Sequence, residues 1–447
     1  MGSRLVQLCA MVLVLVLPLV FNPFGPDAYA GIKVQVLYAL TALLVVAWAA
    51  AAALRASPPW RLTTPELAVW VFWLAVLLSS VTSVNLRLSI FGAPGRDEGV
   101  LAVTSYVVLF FVGAQFFGSA SGARRLAAIA GLAAAVTIAY GFIQMAVPPL
   151  FEGEAIIRSW YGATGLPRIF STLGSPIVFG GYLTVIVPVA LALALSASPP
   201  RSTLWLAIAA AGLVAAVLTF TRAAWVALAV AMPLFFVLAG RTAWWTHRRA
   251  IATGAAVAVV VAVVLLMRTG DLAPAAERAA STLTLQTGSA SQRVYIWEQT
   301  LGLIRQRPLL GWGLETLREV FPYDRAALER YFGRRPVIID KAHNDVLQVA
   351  VSVGLPGAAV YVAVWILVLL AAYRLWRRTE GASRVIAAGL VAAFTGYLFQ
   401  AQFSFSTVGL APLAWLLAGA AAGWEVSVSR SIPASPRASS RRLISTV

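Results

Sequence analysis

Twelve apolar runs separated by short polar loops take up most of this chain, near residues 5–21, 33–54, 65–83, 99–117, 124–147, 174–196, 203–220, 222–240, 250–268, 344–374, 384–401 and 408–425. A helix rises 1.5 Å per residue, so runs of about 20 residues match the roughly 30 Å hydrocarbon core of a bilayer. No series of short alternating segments suggests a barrel. The expected fold is an all-α polytopic membrane protein of about 12 transmembrane helices. One polar stretch breaks the series. The chain then divides into helices one to nine over 1–268, a large external loop over 269–343, helices ten to twelve over 344–426, and a tail over 427–447. The tail, rich in Ser, Pro and Arg, reads as a disordered basic cytoplasmic segment.

The long loop has a pattern of its own. Ser289 and Gln292 form a capping-box pair. Val294, Trp297, Leu301 and Ile304 then recur at helical spacing, which predicts an amphipathic helix over about 291–306 on the membrane surface or against the spans. Pro308 ends it, Gly311-Trp312-Gly313 makes a tight turn, and a second helical stretch follows near 314–331. The tenth run is too long for one straight span: 344–374 would reach about 46 Å. Gly354-Leu355-Pro356-Gly357 is the expected kink. At the other end, Arg4 and Ala28-Tyr29-Ala30 around the first run imitate a signal peptide and its cleavage site. The long apolar core favours a retained span, and the topology is the same either way.

Composition narrows the class. The chain has 447 residues, 60% hydrophobic and 11% charged, against about 25% charged in soluble domains. A net charge of +17 would raise nucleic acid as a partner in a soluble protein. Here the basic residues sit in short loops and set orientation, so the lipid bilayer is the expected partner and no nucleic acid is. Arginines gather in alternate loops, among them Arg124 and Arg125, Arg248 and Arg249, and Arg377 and Arg378, whereas the opposite loops are sparser. Both termini are therefore expected in the cytoplasm, with the 269–343 loop outside the cytoplasmic (inner) membrane. The single cysteine, Cys9, excludes an internal disulfide.

Candidate chemistry gathers on the outer side. His343, one of two histidines, closes the loop at the start of the tenth run. An imidazole in the first turn of a helix feels the positive end of the macrodipole, which favours the neutral ring and lets it accept a proton from a hydroxyl. Arg222 stands in a hairpin so short that it must lie at the membrane boundary, and Arg293 opens the loop helix one turn before Trp297. Either fits a plain reading as well, as a snorkelling anchor or a solvated face. Together they suit a lipid diphosphate, which two guanidiniums can hold through paired charge-assisted hydrogen bonds. Arg96, Lys341 and Asn344 are further candidates for substrate binding, although an ion pair of Arg96 with Asp97 or Glu98 is the more economical reading. No Asp-x-Asp pair offers a cation cage, and Asp340 and Asp345 beside His343 make a thin ligand set. No metal and no cofactor are expected.

These residues also carry a family resemblance. His343-Asn344 with Leu347, Gly354 and Gly357, Arg293-x-x-x-Trp297 leading to Pro308-Leu309-Leu310-Gly311-Trp312-Gly313, and Thr221-Arg222-Ala223-Ala224-Trp225 resemble the O-antigen ligase and polymerase superfamily. The resemblance implies a GT-C-type glycosyltransferase, metal-independent and inverting. Such an enzyme moves a glycan from an undecaprenyl-diphosphate carrier to an acceptor on the external face. It further implies His343 as base or diphosphate partner and Arg222 and Arg293 as diphosphate ligands. The acceptor stays open between lipid A–core for a ligase, first in order here, and a carrier-linked repeat unit for a polymerase. A small-solute or inorganic carbon transporter is the rival of another class. Against it stand the absence of an internal repeat and of carboxylates in mid-span, since Glu66, Glu98 and Glu425 fall at edges.

Overall fold

The computed structural model describes residues 2–25, 27–54, 62–162, 168–268, 289–333 and 337–431. These residues form helices and, among them, no strand. The membrane-type helices are α1 (Gly2–Val16), α2 (Ala30–Ala53), α3 (Thr64–Val81), α5 (Val100–Phe116), α6 (Ala120–Ala146), α8 (Pro176–Leu195), α9 (Arg201–Leu218), α10 (Arg222–Ala239), α12 (Arg248–Arg268), α16 (Asp345–Arg378), α17 (Gly381–Ala401) and α18 (Ala411–Ser431). Shorter helices lie between them: α4 (Leu86–Phe91), α7 (Glu152–Gly162), α11 (Arg241–Trp245), α13 (Ser289–Gln306), α14 (Leu317–Val320) and α15 (Arg325–Phe332).

Among the described residues nine helices are long and apolar enough to cross a membrane, not the twelve expected. Length accounts for two of the other three: α1 has 15 residues and α5 has 17, or about 22 and 26 Å at 1.5 Å per residue. A third short apolar helix, Ile251–Val261, lies within α12. The expected disordered tail falls almost wholly on residues 432–447, outside the described residues.

Helix contacts rest on small residues that let backbones approach. A Cβ on Gly419 of α18 would sit 1.8 Å from the Phe110 carbonyl oxygen of α5, and one on Gly113 would sit 2.2 Å from the Leu416 oxygen. At the centre α8 is buried along most of its length, packed against α9 and α17.

The loop folds into a small second core. Tyr295, Ile296, Leu303 and Ile304 of α13 pack with Leu317, Phe321, Ile339 and Val351. That corrects the predicted stripe. Val294 and Leu301 are exposed, and Val294 faces a cavity described below. The capping-box pair rests on the Ser289 side chain, which lies outside the described residues; Gln292 donates to the Tyr331 carbonyl at 3.1 Å. The second stretch is not one helix. Chain direction changes at Phe321-Pro322-Tyr323, and Asp324 caps α15 by accepting from the Ala327 amide at 2.9 Å.

The expected kink in α16 is a true break. Gly354 has φ +84° and ψ 170°, outside helical space. Into that gap goes the turn after α13. The amides of Trp312 and Gly313 donate to the carbonyls of Val351 and Ser352, both at 2.9 Å, and the Leu355 amide donates to Pro308 at 2.7 Å. Orphan groups at the break are thus satisfied by the loop rather than by water or by the helix itself. The lock fastens α13 and the residues before α16 to the same frame.

Candidate functional site

Three segments converge on the loop-bearing face. The first is the hairpin between α9 and α10. Arg168 donates to the Thr219 carbonyl at 2.8 Å and to the Thr221 hydroxyl at 3.1 Å, and Phe220 takes φ +49°. The tight turn leaves Arg222 as the first residue of α10. The second segment is α13. The third is the stretch 337–345, which ends where Asn344 caps α16.

Arg222 and Arg293 line one cavity of about 100 Å³, together with Val294, Trp297 and Phe403. Among the described residues lining it none is acidic. Trp297 closes the distance to the third segment: its indole N–H donates to the Ala342 carbonyl at 2.9 Å, the residue before His343.

His343 has φ +52°, an uncommon conformation for a side-chain-bearing residue. Its ring packs 5.3 Å from that of Phe405. Its Nδ1 is buried and finds no hydrogen-bond partner among the described residues. Burial first, then the Arg293 guanidinium, pushes the imidazole pKa down from 6.5 to about 4. The ring is neutral at ordinary pH, but His343 lies one residue before the cap rather than in the first turn of α16. Burial and neighbouring charge account for its neutrality.

The other three candidates are held differently. Arg96 pairs at 2.6 Å with Asp340 and not with Asp97 or Glu98, while its guanidinium carbon stands 5.0 Å from the Phe405 ring. Burial raises the Asp340 carboxyl, but Arg96 outweighs it and holds the group below the usual carboxylate range. Lys341 is buried in an ion pair with Glu315, and its Nζ lies 5.5 Å from Phe405. Burial alone would lower its pKa; Glu315 and Glu98 reverse this and raise it. Asn344 accepts from the Leu347 amide at 2.9 Å and donates to the Gln402 carbonyl at 3.1 Å, so its side chain caps α16 and ties it to the loop after α17. Asp345 is occupied too: it accepts from the Tyr361 hydroxyl and from the Ser406 amide.

Sequence reasoning missed the loop after α17, which touches every part of this face. Phe403 lines the arginine cavity, Phe405 meets His343, Arg96 and Lys341, and Ser406 binds Asp345. Its one visible signal was a pair of aromatic residues at a span boundary, which is common in membrane proteins. Glu98, expected at a span edge and as a candidate partner of Arg96, is held elsewhere. It is buried, accepts from the Tyr106 hydroxyl at 2.6 Å and from the Val408 amide, and burial lifts its pKa to about 7.

Residues 206–362 match the O-antigen ligase family. That match supports the O-antigen ligase-like superfamily. It runs from within α9 to within α16, so Arg222, Arg293, His343 and the whole lock at Gly354 fall inside it, whereas Arg96 and Phe405 fall outside. No curated protein matches the chain. The match implies glycosyltransferase-like chemistry on glycan substrates for a polytopic membrane protein.

Proposed function

We propose that the protein transfers a glycan from undecaprenyl diphosphate to a hydroxyl of a surface acceptor, first among them lipid A–core, on the external face and without a metal. The carrying observation is that Arg222 and Arg293 line one cavity with no acidic residue among the described residues that line it, joined through Trp297 to the backbone beside His343. Two guanidiniums and the start of α10 form an anion site, since helix N-termini add donors and positive potential. Neutral His343 takes the proton of the acceptor hydroxyl as its oxygen attacks the anomeric carbon. The bond from that carbon to the diphosphate oxygen breaks, and the electron pair leaves with undecaprenyl diphosphate, stabilised by Arg222 and Arg293. Attack opposite the leaving group inverts the anomeric centre.

Burial and then the Arg293 guanidinium depress the His343 pKa. A bound diphosphate would offset that charge and raise it towards neutrality, which makes the imidazole a better base when the donor is in place. The deciding experiment is transfer in nanodiscs from a carrier-linked glycan to lipid A–core, with and without chelator. Arg293→Ala is expected to lower transfer by about 10²–10³-fold, the usual loss for one preorganised charge donor, with the protein still folded in the membrane. Unchanged turnover in that variant would remove the arginine pair from the mechanism. Activity lost to chelator and restored by a divalent cation would overturn the metal-free reading.

A further inference from the structure

A glycosyl transfer needs a second pocket, for the acceptor, within reach of the base. The structure has a larger cavity, about 350 Å³, lined in part by Arg96. Its walls come from the start of α2 (Asp27, Tyr29), the turn before α5 (Arg96), the start of α8 (Ser175) and the loop after α17 (Thr407, Gly409). Its size is at the lower end of small-ligand sites.

Charge separates the two cavities. The donor-side cavity has two guanidiniums and, among the described residues of its lining, no acid. The larger one is mixed: Asp27 lines it with Lys33, whose ammonium is turned onto the carbonyls of Leu17 and Pro18, and the positive charge of Arg96 is met by Asp340. A diphosphate belongs in the first; a neutral polyhydroxyl ligand fits the second. The polar groups suit such a ligand. Asp27 uses three acceptor positions on the amides of Tyr29, Ala30 and Gly31, and a carboxylate offers about four. The Thr407 hydroxyl adds a group that both donates and accepts, Ser175 stands at the cap of α8 with its hydroxyl accepting from the Ile177 amide, and Tyr29 adds an aromatic wall.

Continuity ties this cavity to the chemistry. Phe403, Phe405 and Thr407 alternate along one loop: the first lines the arginine cavity, the second packs on His343, the third lines the larger cavity. Arg96 bridges the same gap, on the Phe405 ring and Asp340 at one end and in the cavity lining at the other.

We infer that the cavity bounded by Asp27, Tyr29, Arg96, Ser175 and Thr407 is the acceptor subsite, which holds a carbohydrate and presents one of its hydroxyls to His343. This rests on the glycan-transfer reading above. Arg96 is then a positioning residue between the two pockets.

The test uses the full chain in nanodiscs with a carrier-linked glycan as donor. Val178→Trp fills the cavity from its α8 wall, away from both donor-side arginines. It is expected to raise the acceptor KM about tenfold or more while the donor KM stays within about twofold. An equal rise in donor KM, or an unchanged acceptor KM, overturns the inference. A second readout does not depend on turnover. In a Thr407→Cys, Cys9→Ala variant, the rate of maleimide labelling should fall with lipid A–core or with a carrier-linked repeat unit, whichever is the acceptor, and not with undecaprenyl diphosphate alone. Protection by undecaprenyl diphosphate alone would reassign the cavity to the donor, and protection by none of the three would also sink the idea. Arg293→Ala run in parallel separates the failures. If it abolishes transfer while the cavity variants are silent, only the acceptor subsite falls; if it too is silent, the transfer reading falls with it.

Discussion

The break in α16 and the rim around His343 lie a few residues apart yet are built on opposite plans. At the break, backbone meets backbone: carbonyls of Val351 and Ser352 and the amide of Leu355 are all taken by the 308–313 turn. At the rim, side chains approach a cavity from α10 and α13, and the imidazole Nδ1 is left without a partner among the described residues. Satisfied backbone makes a frame; an unsatisfied buried nitrogen is held there only because the frame is rigid. Substitutions in the two regions should therefore fail in different ways, the first in folding and the second in turnover.

Between frame and rim lies Lys341, and it offers the largest effect. Its buried pair with Glu315 has side chains only 4% and 3% exposed, with buried Glu98 and Asp345 in the same cavity lining. Lys341→Met leaves a buried carboxylate without its cation, which costs about 3–5 kcal/mol when one partner of a buried pair is removed. Thermal unfolding in detergent should show the loss. A variant that melts normally and loses only substrate affinity would return Lys341 to the binding role the sequence proposed. Next comes Gly354→Ala. A Cβ there would lie 2.2 Å from the Leu309 oxygen, and its φ is +84°. The backbone strain alone is worth about 1–3 kcal/mol, and relieving the clash must open the lock. Falling stability together with loss of transfer is expected; a normal melting curve would show that the two motifs are not mechanically joined.

How much of this was written in the sequence follows the same divide. The spans were legible because runs of about 20 apolar residues have few other uses, and Gly354 was legible because an overlong helix with Gly-Leu-Pro-Gly inside it has to break somewhere. Span count was less so, since α1 and α5, with 15 and 17 residues, fall short of the usual length of a span. The α13 stripe misled because apolar residues there serve two surfaces: Ile296 and Leu303 enter the loop core, whereas Val294 faces the arginine cavity. Arg96 was assigned to its sequence neighbours because periodicity speaks only of local contacts. Its partner, Asp340, is 244 positions away. Phe405 gave no signal for the same reason: only the fold shows that His343, Arg96 and Lys341 share its ring.

Acidity gives the smallest effect and the sharpest separation of frame from rim. His343 has its folded pKa near 4 against 6.5 when unfolded. Between those values the unfolded chain binds more protons, so its contribution makes the fold less stable as pH falls from about 6.5 to 4. Glu98 works the other way. With its folded pKa at about 7 against 4.5, the folded state binds the extra proton, and its contribution stabilises the fold as pH falls from about 7 to 4.5. The two oppose each other over most of the window, so the melting temperature should change little between pH 6.5 and 4.5. Kinetics are free of this cancellation. In kcat/KM, which reports the free enzyme, the His343 limb should fall only near pH 4, leaving the profile between pH 8 and 6 flat to within about twofold. In kcat, which reports the loaded site, the limb should move upwards, because the donor diphosphate offsets Arg293. Arg293→Ala should weaken that displacement, since it removes the charge that depresses the free imidazole. An acid limb at one pH in both parameters would mean that His343 does not feel the donor, and the base would have to be sought elsewhere.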